Sequence, residues 1–297
     1  PRKRWRLFRR RYFLFSGIAI GMLYALIALS MTILYRATTV VNFGHGDLVA
    51  IGAYLLLIFV VNVALPFIPA LLLSLAVMFG FGYFIHRVFI WPILNGPHLS
   101  LAMMAIAIGY SVRGLARLKY GQGLMKMPRP FDEQFFFAYN TVITLDEVTF
   151  CVVVIVLLLM SYLIFSKTRF GRIVQAIFQT QRGASLVGIN VMLYNNLIWG
   201  VGCALGALGG VMLGLILVLD PDVGAWTLLR GFAAMTLGGF GSLHGAVIGG
   251  LIIGILEKLL GTYVSTAFID ITCYMVIIAV LLIRPRGLFG QHATLRI

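Results

Sequence analysis

The chain has 297 residues, 61% of them hydrophobic against 11% charged, and a mean hydropathy of +1.02. That balance leaves too little polar surface for a water-soluble globule and defines an integral membrane protein. The formal net charge of +14 would suggest a nucleic-acid partner only if the basic residues covered a soluble face, and they do not.

The basic residues are concentrated instead. Residues 1–11 hold seven, residues 166–182 hold four (Lys167, Arg169, Arg172, Arg182), and the tail from Arg284 holds three. No acid falls in these segments, and the remaining nine basic residues face nine acids. Lys and Arg are retained on the cytoplasmic side of transmembrane helices, so segments 1–11, 166–182 and 284–297 are expected in the cytoplasm.

In chain order, apolar runs long enough to be considered as spans, which need about 20 residues, lie near 12–34, 47–65, 68–94, 99–115, 148–165, 191–219, 245–261 and 267–283, with a shorter run at 228–240. The first follows a basic stretch as a signal peptide would, but it is too long and lacks a small-residue cleavage pattern; it reads as a retained helix. Residues 116–147, with Pro128, Pro130 and the acids Asp132, Glu133, Asp146 and Glu147, form the one sizeable polar insertion and are expected outside the cytoplasm. Cys151, Cys203 and Cys273 sit in apolar runs without metal-ligand spacing and read as packing residues.

Crossing parity points to an irregular element. Five simple crossings from a cytoplasmic N-terminus would put residue 166 outside, against its charge. One solution is a helix break or re-entrant turn at 35–47, YRATTVVNFGHGD, because irregular backbone is tolerated at membrane depth where protein or water surrounds it. The other is that the basic N-terminus lies along the membrane surface and the first helix runs inward.

Glycines recur four residues apart at Gly17 and Gly21, at Gly206, Gly210 and Gly214, at Gly245 and Gly249, and at Gly250 and Gly254. Such stripes let helix backbones approach in lipid, either within one subunit or toward a second. Among polar groups inside apolar surroundings, Asn42, His45 and Asp47 are the densest cluster. They either satisfy a broken helix or line a translocation path, as half-helix ends do in transporters. His244 reads as a capping or interface residue, Glu257 and Lys258 as paired or snorkelling, and Arg230 as a partner of Asp220 or Asp222. No phosphate-cradling loop, nucleophile elbow or metal array is present, so no catalytic residue, metal or cofactor is expected on this chain.

The segment 166–190 places Ile173, Ala176, Ile177, Ala184, Leu186 and Val187 among basic and amide residues, which fits two short amphipathic helices joined by the QTQRG turn. Their free face would dock on a partner or lie on anionic lipid.

The stretch FGRIVQAIFQTQRGASLVGIN resembles the coupling loop of the LivH-type permeases of high-affinity branched-chain amino acid ABC importers. GMLYALIALSMTILY (21–35), VNFGHGD (41–47), MTLGGFGSLHGAVIGGLIIGILE (235–257) and RPRGLFG (284–290) extend the resemblance over nearly the whole chain. It implies a bacterial inner-membrane permease, paired with a second, LivM-type permease, two cytoplasmic ATPases that bind the ATP and Mg, and a periplasmic substrate-binding protein. By the same resemblance, Asn42, Phe43, Gly44, His45, Gly46 and Asp47 form a broken-helix segment near the translocation path. Gly238, Gly239, Gly241 and Ser242 join it as path candidates, while Gly206, Gly210, Gly214, Gly245 and Gly249 are packing glycines by their four-residue spacing.

Gly171, Arg172, Gln175, Ala176, Ala184, Leu186, Gly188, Ile189 and Asn190 would frame the ATPase-docking loop. The chain departs from the family at Asp47, where Glu is common, and at Gln179, Thr180 and Gln181, where acidic or amide residues are common. The expected fold is therefore an all-α, polytopic bundle of about eight to ten helices in a single permease domain over 1–297. The expected function is passage of branched-chain or other hydrophobic amino acids, or related small molecules. An ion-coupled transporter or channel using His45 and Asp47 as a relay, and a scaffold without a pore, are the competing readings.

Overall fold

A computed structural model describes the backbone of residues 2–121, 123–128, 135–138, 141–216 and 218–290, with side chains from Ser16 onward except 129–147. Among the described residues there are eleven α-helices: α1 (Arg2–Thr38), α2 (His45–Leu57), α3 (Phe67–Ile85), α4 (His98–Tyr120), α5 (Leu145–Lys167), α6 (Arg169–Gln179), α7 (Gln181–Leu186), α8 (Val191–Ile216), α9 (Val223–Gly238), α10 (Leu243–Tyr263) and α11 (Phe268–Ile283). Seven of the apolar helical segments are long enough to cross a membrane, and α11 is a shorter apolar helix. Among the described residues the strands are one antiparallel hairpin, β1 (Phe135–Ala138) with β2 (Thr141–Thr144), inside the polar insertion.

Local chemistry sets the boundaries. α2 continues into a π-helical turn at Ile58–Asn62 and stops at Ala64, whose φ of 56° no helix continues. Pro66 and Pro97 stand immediately before α3 and α4, where a missing N–H costs nothing. Gly121, at φ 67°, closes α4 with its N–H on the Arg117 carbonyl at 2.8 Å.

The chain packs as two compact units, one of residues 1–29, 130–158 and 229–297, the other of 30–129 and 159–228. In the second, the glycine stripe of α8 is the seam. Gly210 lies against the Val49 backbone, Gly206 against the His45 ring, which an added Cβ would approach to 3.0 Å, and Gly202 against Leu34 and Ser30. A Cβ at Gly210 would strike backbone, so this glycine is required within the subunit. Tyr54, Leu56, Leu57, Ala70, Val211 and Leu219 fill the core beside it. One buried polar contact also joins this unit: the His86 Nδ1 and Asn196 Oδ1 atoms are 2.6 Å apart.

In the first unit, α1 and α10 cross glycine to glycine: Gly254 faces Gly21, and Gly250 faces the Ala25 backbone. Gly249 meets the Ala234 carbonyl, which draws α9 onto α10.

Candidate functional site

Within the stretch 35–47 expected to be irregular, the helical backbone breaks off at 39–44, the non-helical connection between α1 and α2. Thr39 takes a φ of 57° while its N–H still reaches the Tyr35 carbonyl at 2.7 Å, and the Thr38 hydroxyl bonds the Val40 carbonyl at 3.1 Å. Asn42 Oδ1 then accepts the Gly44 N–H at 3.0 Å, and the Asn42 carbonyl accepts the His45 N–H at 3.1 Å, so the backbone groups freed by the break are used to start α2. The chain reverses here. Along α8, Thr38 and Asn42 lie beside Trp199, Leu34 beside Gly202, and His45 and Val49 beside Gly206 and Gly210. α1 thus runs down α8 and α2 climbs back along it. A small crevice lined by Thr38, Val40, Asn42, Leu101, Ala105 and Trp199 flanks the break.

The alternation of the GHGD motif is explained by what each residue touches. Cβ atoms at Gly44 and Gly46 would run into the Ala105 and Gly224 carbonyls, so glycine is needed for α2 to seat against α4 and the start of α9. His45, fully buried, is 2.7 Å from the Ser30 hydroxyl. Asp47, 6% exposed, sits in the first turn of α2, where a carboxylate suits the helix dipole. Its oxygens are flanked by Gly109 and Gly224, whose Cβ atoms would approach to 2.7 Å. Arg113 of α4 donates to Asp47 Oδ1 from Nε and Nη2, both at 2.7 Å, and reaches Asp222 at 3.6 Å; Arg117 pairs with Asp222 as well. Phe43 is exposed.

His45 and Asp47 therefore have separate partners. Arg113 is the member of this site that the sequence reading missed. Its signal was a lone guanidinium at the end of an apolar run, unpartnered in sequence and paired only through the fold.

The expected partnership of Arg230 with Asp220 or Asp222 is corrected. Arg230 lies 3.4 Å from Glu257 and 3.2 Å from Asp270, and Glu257 also accepts the Tyr24 hydroxyl at 3.1 Å. Sequence proximity suggested the wrong acids because the α9 to α10 turn folds α10 and α11 back onto Arg230. That turn holds the other path candidates, all in the first unit. Gly239 and Gly241 adopt φ of 103° and 78°, and the Ser242 hydroxyl caps α10 at Gly245. Gly238 lies against Gly245, while Gly239 packs on Arg286 and Gly290. The Leu288 and Phe289 N–H groups bond the Leu237 and Gly238 carbonyls at 2.8 and 2.9 Å. The turn and the RPRGLFG segment are thus one packed structure.

The segment 166–190 forms two helices, but α7 begins at Gln181, so Thr180 alone separates them where a five-residue turn was expected. The Thr168 and Thr180 hydroxyls cap α6 and α7 by accepting the Gly171 and Gly183 N–H groups, each at 3.2 Å. The inner faces bury Gly171, Val174, Ile177 and Ala184. Arg172, Gln175, Leu186, Val187, Gly188 and Asn190 are exposed, Leu186 at 88% and Val187 at 76%; Ala176 and Ile189 are half-buried. Gly188, with φ 83°, ends α7.

This is a multi-pass helical membrane protein with a non-helical connection between α1 and α2, a largely buried ion pair where α2 begins, and an amphipathic helix pair packed against the end of α1. The chain belongs to the family described as "Branched-chain amino acid transport system / permease component", whose sequence model matches residues 13–283. It is similar to the high-affinity branched-chain amino acid transport system permease LivH of Salmonella typhimurium, at 31% identity over 94% of this chain and 96% of the relative. It is 30% identical to BraD of Pseudomonas aeruginosa over 94% and 95% of the two chains. A probable LivH permease of Methanocaldococcus jannaschii is 29% identical over 93% and 91%. The chain is accordingly the permease component of an ABC transporter, a transport subunit.

Proposed function

We propose that this subunit, in a bacterial inner membrane, forms with a LivM-type second permease the path by which a periplasmic binding protein delivers branched-chain or related hydrophobic amino acids. The break at 39–44, with Asn42, His45, Asp47 and Arg113, is the proposed path-lining element. Two ATPases, which bind the ATP and Mg, dock on α6 and α7 through Arg172, Gln175, Leu186, Gly188 and Asn190. Gly171 and Ala184 support that surface from inside. The observation carrying this reading is the exposed pair Leu186 and Val187 on a capped helix pair whose inner face is already filled: so much apolar surface at a helix end calls for a partner.

With α6 and α7 in the cytoplasm, α1 runs inward, because its last turn touches α6 and α7 through the Phe178 ring beside Tyr35 and the Gln181 amide on the Ala37 carbonyl. Five apolar helices then bring the chain to residue 168 on the correct side. Of the two sequence solutions, the inward first helix is therefore the one proposed.

The test is a gentle-detergent purification of the chain expressed with its neighbouring transport genes. Stoichiometric nucleotide-binding subunits, lost from Leu186→Asp, are expected. A chain that elutes alone yet still transports leucine overturns the proposal.

A further inference from the structure

The end of α1 presents an accounting problem. The last carbonyls of a helix have no intrahelical donors and must find others. Tyr35 O takes the Thr39 N–H at 2.7 Å, and Thr38 O takes the Thr39 hydroxyl at 2.7 Å. Ala37 O has its donor 144 residues away: the Gln181 side-chain amide, at 3.1 Å, from the first residue of α7. Immediately beside it, the Phe178 ring at the end of α6 meets Tyr35 edge-on, with centroids 6.3 Å apart, and lies under the Arg36 guanidinium at 5.8 Å. Three consecutive residues of α1 are thus held by Phe178 in the last turn of α6 and Gln181 at the start of α7. The next residues of α1 lead directly into the left-handed Thr39 and the break.

We propose that Phe178 and Gln181 form a latch through which displacement of α6 and α7 is delivered to the break at 39–44, with the last turn of α1 carried as one body with the loop. This deepens the function proposed above and rests on its docking reading. The alternatives for motion are poor. A helix end fastened by one amide and one ring moves with the helices that hold it, and the non-helical connection from Thr39 onward is where the resulting change in backbone angles is absorbed. It also gives Gln181 a role facing the permease itself, where its family position suggested one facing the ATPase. The latch residues act through α1 and are positioning residues.

The experiment uses the assembled, detergent-purified complex carrying Val41→Cys as a reporter in the break, with labelling of that thiol by a maleimide followed with and without ATP plus vanadate. In the otherwise unaltered chain the labelling rate should change at least fivefold on adding nucleotide and vanadate. In Gln181→Glu, which keeps length but presents no donor, and in Phe178→Ala, ATPase subunits should still co-purify and hydrolyse ATP while the nucleotide-dependent change shrinks to less than twofold. Phe178→Tyr, which keeps the ring, should restore it.

A change that persists undiminished in both Gln181→Glu and Phe178→Ala overturns the latch, as does an otherwise unaltered complex with bound, active ATPase whose reporter thiol never responds. A complex from which the otherwise unaltered chain recovers no ATPase overturns the docking reading itself, and is told apart from failure of the latch by that co-purification.

Discussion

Arg113 of α4 holds one oxygen of Asp47 with two nitrogens, each at 2.7 Å, at the point where α2 restarts after the break. Both side chains are largely withdrawn from solvent, so removing one partner strands the other's charge. Such a loss costs about 3 kcal/mol or more, whereas replacing both together costs far less. Arg113→Leu should therefore lower the thermal stability of the purified subunit more than the double variant Arg113→Leu/Asp47→Asn. A thermal unfolding series on the singles and the double checks this, and additive losses would mean that the pair is not coupled. If Asp47 also lines the path, Asp47→Asn loses leucine uptake beyond what its stability loss explains.

The glycines of the GHGD motif and of α8 should behave as backbone contacts. Gly44→Ala and Gly210→Leu place atoms against the Ala105 and Val49 carbonyl groups, neither of which can move without shifting a helix. The fraction of protein recovered as a monodisperse peak in size exclusion should fall severalfold for both. Gly114→Ala, with open space around its Cβ position, should leave it unchanged. Because the Gly210 contact lies inside the subunit, the defect should appear in this chain expressed alone, before any partner is present.

On α6 and α7 the inner and outer faces should separate cleanly. Leu186→Asp and Arg172→Glu alter exposed positions and should abolish ATPase co-purification with membrane insertion intact. Ala184→Asp puts a carboxylate into the small core of Ile177 and Val191 and should instead reduce the amount of folded subunit, by about 2 kcal/mol or more in stability. Membrane yield and pull-down measured side by side distinguish the two.

The inward course of α1 predicts an N-terminal tag accessible from the periplasmic face and a tag inserted near Arg182 accessible only from the cytoplasm. Protease or reporter-fusion mapping on intact cells and spheroplasts reads both. A cytoplasmic N-terminal tag would require one of the five helices before Thr168 not to cross.

Composition and hydropathy by themselves determined that this is a membrane bundle, where its helices run, and that something irregular interrupts the chain between Tyr35 and Asp47. Those features are local: an apolar run must be helical in lipid because no water is available to its backbone, and a run carrying Asn42, His45, Asp47 and two glycines cannot be an ordinary one. The amphipathic pair α6 and α7 was legible for the same reason, since helical periodicity shows itself within a dozen residues. Partnership was not. Asp47 with Arg113, Arg230 with Glu257 and Asp270, Gln181 with Ala37, and the LGGFG turn with RPRGLFG each join residues 27 to 144 positions apart. In every one of these cases it was tertiary packing that chose among donors and acceptors the sequence had left equivalent. A buried charge or carbonyl must find a partner somewhere, but which one depends on how closely helices approach, and that distance is set by the glycines between them.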